Sequence, residues 1–109
     1  MNCYEHTLIV RQDLKDDDVK ALVNKYEELI NKNSGKVLKM EEWGLKNFSY
    51  KLKNNKKGFY FHMKLEGDGK TIKELEKAEN IDQMLIRFLT VKVKKHDLKN
   101  EYIEKKESN

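Results

Sequence analysis

Proline is missing from this chain of 109 residues, and cysteine and tryptophan occur once each, as Cys3 and Trp43. Without proline no helix is forced to kink and no rigid linker is built in, so side-chain pattern alone sets where elements start and stop. A single thiol excludes an internal disulfide and a cysteine-rich zinc site, which suits a reducing compartment. No apolar run approaches the roughly 20 residues a membrane-spanning helix needs, and the N-terminus lacks the basic and then apolar layout of a secretory signal. The expectation is a soluble, cytoplasmic protein with no membrane partner. Arginine is scarce as well: Arg11 and Arg87 are the only two, and lysine brings the formal net charge to +4. Lysine is a flexible point charge, better suited to phosphate than to bidentate reading of bases. A modest lysine excess equally describes a solvated surface, so charge alone assigns no partner.

What remains is strongly patterned. Residues 4–10 alternate, with Tyr4, His6, Leu8 and Val10 on one face, as a first strand. Asp16, Asp17 and Asp18 supply the cap and first-turn acids of a helix. Val19, Leu22, Val23, Tyr26, Leu29 and Ile30 follow at helical spacing, and Gly35 offers a C-terminal stop. A second strand covers residues 36–53, with a bulge or bend expected at Gly44 and with Phe48, Tyr50 and Leu52 as its buried alternate face. Turn chemistry at Asn54, Asn55, Lys56, Lys57 and Gly58 folds it back as a hairpin into a third strand, residues 59–66. There Phe59, Phe61, Met63 and Leu65 read as core, and Tyr60, His62 and Lys64 as the polar opposite face. Thr71 and Glu74 fit a capping box for a short helix carrying Ile72, Leu75 and Ala78, and residues 85–93 form a last strand. The order strand, helix, strand, strand, helix, strand is that of a ferredoxin-like sandwich, an α+β fold with a four-stranded antiparallel sheet and both helices on one face. Residues 1–95 make the domain, and residues 96–109 read as a charged, flexible tail.

Sites of chemistry are scarce. Gly69, Lys70 and Thr71 lie where a phosphate loop would place them, but Lys64 stands where its first glycine belongs, so a capped helix start is the better reading. Lys57, Gly58, Phe59 and Phe61 resemble the aromatic strand of an RNA recognition motif; exposing those rings would turn Lys64 toward the helices, at a large desolvation cost. His6, His62 and His96 have no metal-ligand spacing, and no serine or cysteine carries a nucleophile signature. Acylphosphatase-like chemistry would need an anion cradle after the first strand, where Asp13 and the three aspartates repel one. Neither an enzyme nor a cofactor is expected. Two lysine groups flank strand ends beside an open sheet face, Lys51, Lys53, Lys56 and Lys57 around the hairpin and Lys92, Lys94 and Lys95 at the end of the last strand, which raises the hypothesis of phosphate contact.

The run Glu41, Glu42, Trp43, Gly44, Leu45, Lys46, Asn47, Phe48, Ser49, Tyr50, Lys51, Leu52, Lys53, with Tyr4 and Glu5 upstream and Arg87 opening the final apolar run, resembles the signature of the sixth protein of the bacterial small ribosomal subunit, the S-six family. Phe48 stands where leucine is usual and Leu52 where isoleucine is usual, both volume-tolerant exchanges. The resemblance implies the same ferredoxin-like fold. It also implies a structural role in the ribosome, cytoplasmic or organellar, binding the central domain of small-subunit ribosomal RNA as a heterodimer with the eighteenth small-subunit protein. No small-molecule substrate is implied. The family's partner-facing charges map to Glu41, Glu42 and Lys46; for RNA, the expected contacts are Lys51, Lys53, Lys56, Lys57, Arg87, Lys92 and Lys94. The rival expectation is a small-molecule sensor on the same fold, acting as a homo-oligomer.

Overall fold

The computed structural model describes residues 2–53 and 55–95. Asn54, His96 and the expected tail lie outside the described residues. The elements run β1 (Asn2–Arg11), α1 (Asp16–Lys32), β2 (Lys36–Leu52), β3 (Asn55–Gly67), α2 (Gly69–Asn80) and β4 (Leu85–Val93). All neighbouring strands pair antiparallel in the order β2-β3-β1-β4, so β2 and β4 are the two sheet edges. This is the ferredoxin-like order expected from the alternation of periods.

The core lies between the helices and one sheet face. Leu8 and Val10 of β1, Met63 and Leu65 of β3, Tyr26 and Ile30 of α1, and Leu75 of α2 are fully buried there. The helical spacing of α1 places Val19, Leu22, Tyr26 and Ile30 on that face. Tyr26 reaches past it, its hydroxyl donating to Asp82 beyond α2; burial first, and that hydrogen bond second, hold its ionisation far above the ordinary value. Asp82 responds oppositely: burial pushes its pKa up, but hydrogen bonds from Tyr26 and the Met84 amide, with Lys25 nearby, outweigh this and hold it low.

Three local details differ from expectation. Lys15, not an aspartate, occupies the N-cap of α1 and makes no side-chain cap; Asp16, Asp17 and Asp18 act from the first turn, where they favour the positive end of the helix dipole. The left-handed residue after α1 is Ser34, at φ 65°, rather than Gly35. Gly35 serves close approach instead, since a Cβ there would lie 2.6 Å from Thr71 Cγ2 and 2.9 Å from the Glu66 carbonyl oxygen. The capping box of α2 begins three residues earlier than expected: Asp68 Oδ1 accepts from the Thr71 amide at 2.9 Å, and Thr71 Oγ1 accepts from the Asp68 amide at 3.2 Å. Those bonds from Thr71 hold the Asp68 carboxyl below its ordinary pKa. Thr71 Oγ1 also donates to the Asn33 carbonyl at 2.7 Å, which ties the start of α2 to the turn after α1.

His6 carries the core's largest polar commitment. Its Nε2 lies 2.6 Å from Glu79 Oε2 and its Nδ1 2.6 Å from Thr90 Oγ1, so β1, α2 and β4 meet in one buried network. Both side chains of the His6–Glu79 pair have no solvent exposure. Burial raises the Glu79 pKa, and the hydrogen bond and charge of His6 oppose that shift. His6 thus lies on the face it shares with Leu8 and Val10, as the alternation of β1 predicts, and is fully buried there.

Candidate nucleic-acid interface

Both helices cover one face of the sheet, and among the described residues no element covers the other. Cross-strand register puts Glu5, Thr7 and Ile9 of β1, Tyr60 and His62 of β3, and Arg87, Leu89 and Val91 of β4 on that open side. They line a groove of about 650 Å³ with Trp43 at its β2 wall. Leu89 is 61% exposed and Val91 48%, an apolar strip that a soluble chain seldom leaves uncovered without a use.

The polar outer face expected of β3 is only partly polar in effect, because His62 and Lys64 are buried despite lying on it. Side chains of β2 fold over them. Trp43 stacks on His62 with ring centroids 4.7 Å apart, its Nε1 donates to Glu41 Oε1 at 2.9 Å, and Glu41 Oε2 lies 3.6 Å from Lys64 Nζ. Beneath the indole, His62 Nε2 meets Glu5 Oε1 at 2.8 Å and Nδ1 meets Thr7 Oγ1 at 2.9 Å. Gly44, at φ 82°, makes this possible: a bulge between Glu42 and Gly44 shifts the ladder by one residue and re-aims Trp43 over the sheet. The expected bulge is there.

The charges of β2 do not form one exposed row. Glu41 pairs with His62 in register, on the open face, and is only 2% exposed. Glu42 pairs with Phe61, so it points to the other side of the edge and is exposed; Lys46, opposite Gly58, is half-buried on the open side. Glu41 therefore acts inside the sheet layer, while Glu42 and Lys46 remain within reach of a partner.

The far end of β2 also corrects the expected burial. Tyr50 is 75% exposed, and Phe48 and Leu52 are half-buried. Ladder pairing between β2 and β3 is interrupted from Asn47 to Leu52, so along the hairpin tip strict alternation no longer decides which side chains face the helices. Phe48 packs on the open side instead, its ring 6.3 Å from that of Tyr60 and over Gly58. Tyr50 thus stands as an exposed aromatic among lysines, where alternation alone places it inside.

Lys51, Lys53, Lys56 and Lys57 are all exposed at that tip. Arg87, paired with Ile9, joins them at the same end of the sheet. Lys92 and Lys94 do not. Their end of β4 lies by Cys3, whereas the hairpin end of β1 is Arg11, and eight residues at ~3.3 Å each separate the two by about 26 Å. The two lysine groups expected from the sequence therefore lie at opposite ends of the sheet, with Arg87 beside the hairpin group.

A family model described as ribosomal protein S6 matches residues 3–92. The small ribosomal subunit protein bS6 of Pelagibacter ubique is 50% identical over 98% of this chain and 88% of its own length. Its counterpart from Brucella anthropi is 38% identical over 89% of this chain, which spans 64% of that protein. The crystal structure of 30S ribosomal protein S6 from Thermotoga maritima superposes with a TM-score of 0.80 at 26% identity, covering 98% of this chain and 94% of that one. This chain belongs to the ribosomal protein S6 family. Its place is the small ribosomal subunit, and its role there is structural rather than catalytic. For an S6 protein the hydrogen-bonded row Thr7, His62, Glu5 is support for Trp43. Its histidine is held beneath the indole and is almost fully covered.

Proposed function

We propose that this chain binds the central domain of small-subunit ribosomal RNA together with the eighteenth small-subunit protein, holding the protein with its β2 edge and open sheet face and the RNA with its basic hairpin. The observation that carries this reading is the division of surface. One end presents Lys51, Lys53, Lys56 and Lys57 around the exposed ring of Tyr50, while the adjoining open face offers an apolar strip bordered by charges of both signs. Lysines on a protruding hairpin suit backbone phosphates, and an exposed tyrosine suits stacking on an unpaired base. Leu89 and Val91 suit a protein segment. Exposed Glu42 and half-buried Lys46 give that docking a charge code, and they discourage strand pairing at the free edge before assembly. Lys92 and Lys94 form a separate, smaller contact at the opposite end.

Sedimentation of the purified chain with and without the eighteenth protein tests the protein half. A one-to-one complex that weakens on Glu42→Lys or Lys46→Glu, with the chain alone remaining monomeric, is the expected result. A chain that self-associates and ignores the partner would overturn it and favour a homo-oligomeric module.

A further inference from the structure

A cleft of about 220 Å³ opens at the hairpin end of the sheet, where Lys53 meets Leu85, Ile86, Arg87 and Phe88. Lys53 follows β2 and Arg87 lies in β4, so the two cations come from opposite sheet edges with β3 and β1 between them. The hairpin's departure from the sheet brings them together. Lys53 sits at φ 47°, the left-handed region seldom used by a lysine, and the interrupted ladder after Asn47 frees the tip to curl toward β4. Both side chains are exposed, and neither makes a salt bridge within 4 Å among the described residues.

One acid borders the same cleft and would repel an anion if it were free. It is not presented there: the Glu79 side chain has no solvent exposure and its Oε2 is held 2.6 Å from His6 Nε2 in the core. Asn80, exposed beside it, adds an uncharged amide. The cleft is thus a concavity with two exposed cations at its rim and, among the described residues, its one acidic neighbour turned into the core against His6, a chemistry that fits one phosphate group.

We propose that Lys53 and Arg87 jointly clamp a single RNA backbone phosphate, which bridges the β2–β3 hairpin to β4. The clamp rests on the RNA-binding reading above. It adds that the two edges are coupled through the ligand, so the hairpin becomes fixed against β4 when RNA binds. Lys53 and Arg87 then work as a unit and not as two independent charges.

The salt dependence of binding separates these cases. Affinity of the full chain, with the eighteenth protein, for a central-domain transcript is measured across a salt series for wild type, Lys53→Gln, Arg87→Gln and the double variant. Each single change is expected to flatten the log–log slope by about 0.7–0.9, as for one lost phosphate contact, and the double change by about the same amount. A double variant losing about twice as much would mean separate phosphates, and unchanged slopes would mean none; either result overturns the clamp. Inorganic phosphate followed by amide chemical shifts tests the cleft without RNA: shifts at Lys53 and Arg87 that vanish in both single variants are expected. Such shifts in a chain that binds no transcript would overturn RNA as the occupant and the RNA-binding reading with it. Transcript binding without those shifts would overturn the clamp alone.

Discussion

Trp43 lies flat against His62, ring planes 14° from parallel, and its indole nitrogen is anchored on Glu41. The stack fastens the edge strand β2 over the middle of the sheet and makes the only tryptophan a reporter of the open face. Glu41 and Glu42 are neighbours in sequence with different work. Glu41→Ala removes the acceptor of Trp43 and the ion pair to buried Lys64, and is expected to cost about 3 kcal/mol of stability as well as partner affinity. Glu42→Ala is expected to change stability by no more than ~0.5 kcal/mol, as at an ordinary surface site, while lowering partner affinity. Urea denaturation alongside a partner titration reads both.

Tyr50 is expected to behave as a binding residue. Tyr50→Ser leaves the denaturation midpoint nearly unmoved, since the ring is 75% exposed, and weakens transcript binding by about 1–3 kcal/mol, the range for one stacked base. Equal affinity in both proteins would show that the ring touches no base.

Gly35 is expected to resist even alanine. A methyl group there meets Thr71 Cγ2 at 2.6 Å and the Glu66 carbonyl at 2.9 Å, so α2 has to shift off the turn after α1. Gly35→Ala is expected to cost about 1–3 kcal/mol, measured by thermal or urea unfolding. Full stability in that variant would show that the α1–α2 packing yields freely.

Acid and near-neutral pH are expected to act on stability with opposite signs. Asp68 and Asp82 have folded pKa values below their ordinary ones, so they stabilise the fold above that ordinary range, and the contribution is lost as pH falls through the folded values. Glu79 has a raised folded value, so its contribution is fullest in acid and declines as pH rises through that value. Unfolding free energy measured from about pH 3 to 7 should therefore show a shallower acid loss in Asp82→Asn and no Glu79-linked decline in Glu79→Gln.

Periodicity was enough for the architecture. The alternation of Phe59, Phe61, Met63 and Leu65, and the helical spacing from Val19 to Ile30, each match one buried face. Alternation says which residues share a side of a strand, but not what lies above that side. Tyr50 and Phe48 therefore escape the pattern, because the β2–β3 ladder is interrupted after Asn47 and the tip no longer follows the sheet. Glu41 and Lys64 read as surface charges until the Gly44 bulge brought β2 side chains down over β3. The capping box follows Asp68 with Thr71, although Thr71 with Glu74 matches the usual threonine-to-glutamate spacing better, so the pattern alone selects the wrong pair. The His6–Glu79 bond joins residues 73 positions apart, beyond any local pattern. At the interface, the hairpin lysines were legible as a group, whereas their distance from Lys92 and Lys94 needed the antiparallel register of β1 and β4.

The central claim is that this chain and the eighteenth small-subunit protein bind ribosomal RNA as one unit through phosphate contacts. A titration of central-domain transcript at several salt concentrations, with and without that protein, tests it most directly. The expected result is tight binding only with the partner present, with affinity falling linearly in log–log form as salt rises. Affinity that ignores salt, or that is the same without the partner, would contradict it.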